Sequence, residues 1–237
     1  MRRILITNDD GIESDGILRL AKAAKEFGEV WVVAPESQRS AASHSITLRH
    51  PIDVHPFNLL EGVHAFSCTG TPGDCVRVGI LSIMPEKPDV IFSGINFGYN
   101  VACDIQYSAT AGAAFEGEFQ GIFSIAFSEG MTACHEVTDK YLKEIIAELI
   151  EKEYVPGYIW NVNFPDCKVD DCKGILRDRK VSRKSFFTDR YKAVEEFSNG
   201  GVSLMIDGIY QPSSEEGTDY GAVLDNYVSI GVVKNIS

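Results

Sequence analysis

Apolar and polar positions follow two periods along the first two thirds of this chain. Ile4–Thr7 is a short, Ile-rich apolar run that stops at Asn8-Asp9-Asp10-Gly11. A run this short, bounded by Gly, reads as a strand buried in a parallel sheet. Across Ser14–Phe27 the period lengthens: Ile17, Leu20, Ala21 and Ala24 form a helical stripe, which Gly28 ends. Glu29–Ala34 is a second apolar strand, and Leu48–Ser67, broken by His and Pro, predicts a loop with weak strands. Helices are predicted over Thr71–Met84, Thr110–Gln120 and Asp139–Lys152. Strands are predicted over Asp89–Gly94, Ile122–Phe127 and Tyr158–Phe164.

After Pro165 the pattern changes. Residues 166–185 are charged and no further long helix is evident. Val181–Phe187 and Val202–Tyr210 flank the turn signal Asn199-Gly200-Gly201, which predicts a protruding hairpin; Tyr227–Val233 is a final strand. The alternation predicts an α/β fold: a doubly wound, mostly parallel Rossmann-like sheet with right-handed crossovers and a C-terminal β-hairpin extension. Residues 1–237 read as one such domain, with the hairpin and the terminal strand inside 166–237. Phe186, Phe187 and Tyr191 need a surface to pack on, because an isolated two-stranded hairpin is marginal in water.

Composition narrows the partners. With 44% hydrophobic and 24% charged residues, the 237-residue chain fits an ordinary soluble globule. Its net charge of −12 argues against a binder of nucleic-acid polymers, though not against one small phosphate ligand held by a metal. No apolar stretch approaches the ~20 residues of a membrane span. The first run is too short for a signal peptide, and a cytoplasmic protein is expected. Cys68, Cys75, Cys103, Cys134, Cys167 and Cys172 form no CxxC pair. Cys167 and Cys172 make at most half a zinc site, so reduced thiols are expected.

Four segments carry candidate chemistry. Asn8-Asp9-Asp10-Gly11 lies at the carboxyl end of the first strand, where open α/β sheets bind ligands. Adjacent carboxylates repel unless a proton or cation neutralises them. A helix cap needs only one acid, so the pair points to a metal, and oxygen-only ligation favours a hard ion such as Mg or Mn. The hydroxyl-rich loop 35–47 follows the second strand and holds Arg39, Ser40 and His44. Asn96 follows the Asp89–Gly94 strand, and its carbonyl is a good donor to a hard cation. Ser108-Ala109-Thr110 opens a small-residue helix whose N-terminus suits a phosphate.

The segments ILITNDDGI, VVAPESQRSAASHSITL, TGTPGDCV, DVIFSGINFGYN, DIQYSATAGAAFEG, NVNFP and EGTDYGAVLDNYVSI span nearly the whole chain. In this order they resemble the SurE family, the survival-protein-E nucleotidases. The resemblance implies a divalent-metal phosphomonoesterase acting on nucleoside 5′- and 3′-monophosphates, with short polyphosphate a further substrate of some members. It implies one divalent cation per subunit on Asp9, Asp10, Ser40 and Asn96, and a phosphate-contacting turn at Ser108, Ala109 and Thr110. It also suggests that the hairpin is exchanged with a partner subunit in a homodimer or homotetramer. The chain departs from the family pattern in places. Ala109 replaces the Gly of Ser-Gly-Thr, where a methyl narrows the anion site or strains the backbone. Ser43 stands where members commonly have Gly. Ser229-Ile230-Gly231-Val232-Val233 replaces SITPL, and the sequence ends at Ser237 without the helix that many members carry.

For such a reaction Asn8 is a candidate to orient the attacking water, and His44, which titrates near neutrality as a residue type, is a candidate proton donor to the leaving nucleoside oxygen. Phe97, Tyr99 or Tyr107 stacks on the base. Asp9 and Asp10 are adjacent rather than one residue apart, which assigns both to the metal and leaves direct attack to water. Two other classes compete. A zinc deacetylase with an Asp-Asp pair would carry a His just upstream, where this chain has Ile6-Thr7-Asn8. A non-catalytic or weakly active nucleotide-binding module is kept open by Ala109.

Overall fold

In the computed structural model, which describes residues 1–234, the apolar runs assemble into one nine-stranded sheet. The elements in chain order are β1 (Arg3–Thr7), α1 (Asp15–Ala24), β2 (Glu29–Pro35), β3 (Val54–Phe57), β4 (Val63–Cys68), α2 (Pro72–Val78), β5 (Val90–Phe97), α3 (Ala109–Phe119), β6 (Phe123–Glu129) and α4 (Glu136–Leu149). There follow β7 (Tyr158–Phe164), β8 (Ile175–Leu176), β9 (Phe187–Thr188), β10 (Tyr191–Glu196), β11 (Val202–Ile206), β12 (Ile209–Tyr210), α5 (Asp219–Leu224) and β13 (Val228–Lys234). The sheet order is β3-β4-β2-β1-β5-β6-β7-β13-β8. From β4 to β7 neighbouring strands run parallel; β3 and β13 pair antiparallel at the two sides.

Strand alternation divides the core between the two faces. Ile4, Ile6, Val30, Val32, Phe92 and Phe127 pack with Ile17 and Leu20 of α1 and with Ile145 and Ile146 of α4. Leu5, Val33 and Ile91 point the other way, onto Cys75 and Val76 of α2 and Ala113 of α3. The central strands are therefore covered on both sides, which is why they read as continuous apolar runs. Among the described residues no helix is long and apolar enough to cross a membrane.

Three expectations are corrected. The segment Leu48–Ser67 contributes a full strand to the sheet: β4 pairs with β2 from Val63 to Cys68. Its polar His64 hid the pattern, and that ring stacks on Trp31 with centroids 4.2 Å apart. The predicted helix 71–84 starts with a capping box, Thr71 with Asp74, but widens into a π turn over Gly79–Ile83. The arm is formed by β10 and β11, not by Val181–Phe187. Residues 181–186 dock instead on the start of α5: Ser182 N donates to Asp219 Oδ1 at 2.9 Å, and Phe186 packs near Tyr99 and Tyr220. Only Phe187–Thr188 becomes strand, pairing with β12 at the base of the arm. The six-residue α5, capped by Thr218, is too short to show a period.

Candidate active site

The carboxyl ends of β1, β2 and β5 bring three of the four candidate segments together, and the start of α3 supplies the fourth. After β1 the chain turns sharply on Asn8. Its amide Nδ2 donates to Gly11 O (2.9 Å) and Ser14 Oγ (2.7 Å), and its Oδ1 accepts from Gly11 N (3.2 Å). Both ends of this fully buried amide hold the turn, and every hydrogen bond of its side chain goes to Gly11 or Ser14.

The turn fixes the two acids in different surroundings. Asp9 is 3% exposed and accepts a 2.5 Å hydrogen bond from Thr110 Oγ1. Burial, reinforced by the neighbouring charge of Asp10 and opposed by the Thr110 bond, pushes its carboxyl up to about 6. Asp10 is half-buried and accepts from Phe97 N at 2.9 Å. Burial raises it too, against hydrogen bonds from Phe97 and Gln38, with the charge of Glu129 adding to the rise.

The loop after β2 is tied over the acids by Arg39 N, which donates to Asp9 O at 2.7 Å. Ala41 (φ 58°) and Ser43 (φ 52°) flank Ser40's segment in the left-handed region. That conformation is costly for residues with a Cβ, and persists only where surroundings enforce it. Here Gly112 of α3 lets the loop close in: a Cβ at Gly112 would lie 2.5 Å from Ser43 O. After β5, Gly94 (φ 136°) has the same role, because a Cβ there would meet Phe127 O at 2.3 Å. Asn96 spends its amide N–H on Gly98 O (2.7 Å), which leaves its carbonyl oxygen for a ligand.

Helix α3 starts at the back of the site. Ser108 caps it by accepting from Ala111 N at 3.0 Å. Thr110's hydroxyl is committed to Asp9, and the first N–H groups of the helix, at Ala109 and Thr110, have no acceptor among the described residues, but both residues are fully buried and of this turn only Ser108 lines the cavity. Ala109 takes an ordinary helical φ and its methyl is fully buried, so the expected backbone strain does not arise.

Asp9, Ser40, Asn96 and Ser108 line one cavity of about 520 Å³. Asp10 faces an adjoining cavity of about 300 Å³, with Phe97 lining both. Among the described residues that line the larger cavity, His44 does not occur. Its Nε2 meets Glu116 Oε2 at 2.9 Å and its ring packs on Phe119. Burial pushes Glu116 up, but bonds from His44, Gln120 and Arg77 outweigh it and leave the carboxyl lowered. Tyr99 is also turned away: its hydroxyl accepts from Asp166 N and its ring meets Phe186. Phe97 and Tyr107 do line the cavity, joined by Tyr191 and Phe187 from the arm.

The donor set fits a hard divalent cation. Gln38 Nε2 lies 3.0 Å from Ser40 Oγ and 3.4 Å from Asp10 Oδ1, so two oxygens from separate loops already converge on one neutral amide donor. A buried acid raised to about 6 beside a second acid calls for a compensating charge. Among the described residues no three His, Cys, Asp or Glu are grouped to hold a metal, so the fit is to carboxylate and neutral oxygens rather than to a zinc-type centre.

Sequence reasoning missed several supports. Asn161 and Asn163 both donate to Asn100 O (2.8 and 3.1 Å), and Asn163 Oδ1 accepts from Asn100 N at 2.8 Å. The NVNFP segment thus anchors the loop that presents Asn96. Its alternating buried amides on a strand were the available signal. Asp104, Asp189 and Tyr191 complete the outer wall of the cavity.

The fold and site define an α/β protein with an adjacent acid pair, one member buried and one half-buried, and a helix N-terminus at the carboxyl edge of its sheet. The model of the family described as Survival protein SurE matches residues 4–186, and the chain belongs to that family. It is 36% identical over 229 residues to a protein of Thermosipho melanesiensis named 5′-nucleotidase SurE, covering 96% of this chain and 89% of that one. A protein of the same name from Clostridium botulinum is 37% identical over 231 residues, covering 96% and 90%. The crystal structure of the SurE protein from Aquifex aeolicus superposes with a TM-score of 0.83 at 34% identity, covering 99% of this chain and 94% of that one.

Proposed function

We propose that this chain is a divalent-metal-dependent phosphomonoesterase that hydrolyses nucleoside 5′-monophosphates to nucleoside and phosphate. The observation that carries the reading is the meeting of an adjacent carboxylate pair, Asp9 buried and Asp10 half-buried, with the start of α3: Asp9 is bonded to Thr110, whose own N–H has no acceptor among the described residues. Relatives named 5′-nucleotidase support the same activity. Asp9, Asp10, Ser40 and Asn96 would hold one cation per subunit, Mg or Mn. When bound, such an ion supplies Lewis-acid charge to a phosphoryl oxygen. The N–H groups of Ala109 and Thr110 hold the remaining phosphoryl oxygens where charge accumulates. Phe97, Tyr107 and Tyr191 offer ring faces to the base.

Nucleoside 3′-monophosphates are expected substrates as well. Short polyphosphate fits less well, because the cavity wall is anionic. Six free thiols agree with a cytoplasmic protein. A homodimer or homotetramer is inferred from the arm, where every residue of β10 is exposed and Leu204, Met205 and Ile206 of β11 are exposed as well. Assay with p-nitrophenyl phosphate and adenosine 5′-monophosphate tests the activity: EDTA should abolish turnover and Mn or Mg should restore it. Full turnover by protein shown to be metal-free by elemental analysis would refute the metal dependence.

A further inference from the structure

The outer half of the cavity carries charge that the proposed reaction does not use. Beyond Ser108 its wall includes Cys103, Asp104, Tyr107, Ser185, Asp189 and Tyr191. The two carboxylates come from distant parts of the chain: Asp104 from the turn before α3, Asp189 from the base of the arm. The wall is closed by Cys103 Sγ, which donates to Ser185 Oγ at 3.5 Å. Burial raises the Asp104 carboxyl, against a bond from Cys103, and the facing charge of Asp189 adds to the rise. No Lys, Arg or His is found among the described residues lining this cavity. Arg190, next to Asp189 in sequence, is paired with Asp207 at 2.6 Å. A cation at Asp9 and Asp10 balances the inner end and leaves the outer end negative.

We propose that Asp104 and Asp189 are specificity-determining residues that select substrates by charge. The site takes a phosphomonoester whose far end is uncharged and carries hydrogen-bond donors, as an unphosphorylated nucleoside does. It discriminates against one whose far end carries more phosphate, as nucleoside 3′,5′-bisphosphates and inorganic polyphosphate do. This rests on the nucleotidase reading of the site. A carboxylate accepts from ribose hydroxyls and base amino groups, and like charges brought together suppress wrong partners. Exposed Tyr107 and Tyr191 frame the same wall, so an aromatic base gains contact area where a phosphate chain gains none.

The test compares kcat/KM for adenosine 5′-monophosphate, adenosine 3′,5′-bisphosphate and tripolyphosphate at low ionic strength, with p-nitrophenyl phosphate as reference. It uses the full chain and Asp189→Asn, Asp104→Asn and the double variant, with the fold of each checked by melting. The ratios, not the absolute rates, are the readout. The wild type should favour the monophosphate over both polyanions by about tenfold or more, and added salt should narrow that preference. The double variant should lose most of the preference and most of its salt dependence. If Asp104→Asn unfolds, Asp189→Asn alone should still lower the ratio at least about twofold. Ratios unchanged in folded variants, or a wild type that treats the monophosphate and the bisphosphate alike, would overturn the proposal. Failure of the wild type to hydrolyse p-nitrophenyl phosphate would instead refute the nucleotidase reading, and this inference with it.

Discussion

Asp9 sits at the end of a central strand, 3% exposed, with its backbone and side chain both bonded to other loops. Asp189 sits at the foot of an arm in which every residue from Tyr191 to Glu196 is exposed. Both line one cavity. The inner end is fixed by buried polar bonds: Asn8 within its turn, Thr110 on Asp9, Asn161 and Asn163 on Asn100. The outer end is fixed by little more than the short β9–β12 pairing and the packing of Phe186 and Phe187. Chemistry needs groups held in place, whereas selection by charge and stacking tolerates looser placement. The division of the cavity follows that difference.

The largest effect is expected at the inner end. On the proposed function, Asp9→Asn should lower kcat/KM by roughly a thousandfold or more, because it removes a carboxylate that would hold the cation where transition-state charge is stabilised. The same change should leave the metal-free protein at least as stable, since it removes a carboxylate that burial disfavours. Thermal melting in EDTA checks the second half. A large drop in melting temperature there would mean that Asp9 is a structural residue, and the contrast with the arm would lose its basis.

At the arm the effect should fall on assembly. Val194→Asp with Leu204→Lys places charge on two residues that are 53% and 54% exposed in the single chain. Light scattering should register a shift to smaller particles, while the melting of the α/β core moves by less than about 1 kcal/mol, as for surface changes. An unchanged particle mass would argue that the arm folds for the cavity alone.

How much of this was legible follows the same divide. Ile4–Thr7 with its Asn-Asp-Asp-Gly turn is local: period, breaker and chemistry lie within eight residues, and the strand is found there. Asp9, Ser40, Asn96 and Ser108 could be placed together because each ends or follows a parallel strand or opens a helix beside one. The contacts of Asn8 and His44 were beyond the sequence for one reason. Residue type suggests chemistry, but only tertiary contacts reveal that Asn8 is spent on Gly11 and Ser14, and His44 on Glu116. Asp189 and Tyr191 lay in a charged stretch without period, and the cavity they complete closes only when the chain returns from Pro165. β4 was obscured by a histidine that stays exposed while its ring stacks on a tryptophan.

A smaller effect tests how the Ser40 loop is anchored at its far end. Asp74 accepts from Thr47 N (2.9 Å) and Thr71 N (2.9 Å). Burial raises its carboxyl, but these bonds outweigh burial and leave it below the usual range. A carboxyl lowered by folding adds stability above its unfolded value, near 3.9, and loses it as pH falls through the folded value. Asp74→Asn should therefore cost about 1–3 kcal/mol at neutral pH, and less at pH 2–3. Denaturant titrations of both proteins at pH 7 and pH 3 measure this, and a cost that does not shrink in acid would assign Asp74 a role other than its charge.

The smallest effect lies inside the inner site. Ser43 holds φ at 52°, beside the loop that carries Ser40, and its N–H donates to Tyr107 O at 3.0 Å. A residue with a Cβ costs roughly 1–2 kcal/mol in this region, while glycine adopts it freely but loses more entropy on folding, by about 0.5–1 kcal/mol. The two terms nearly cancel, leaving Ser43→Gly more stable by a few tenths to about 1 kcal/mol. Gly112 packs against Ser43 O, so the relaxed loop has no new room to move into, and kcat/KM should change by less than about threefold. Melting and turnover measured on the same preparation separate the outcomes. A stabilised variant with intact turnover would mean that the left-handed loop is enforced by α3 and is not used by the chemistry. A stabilised variant that loses turnover would mean that the strain itself sets the position of Ser40.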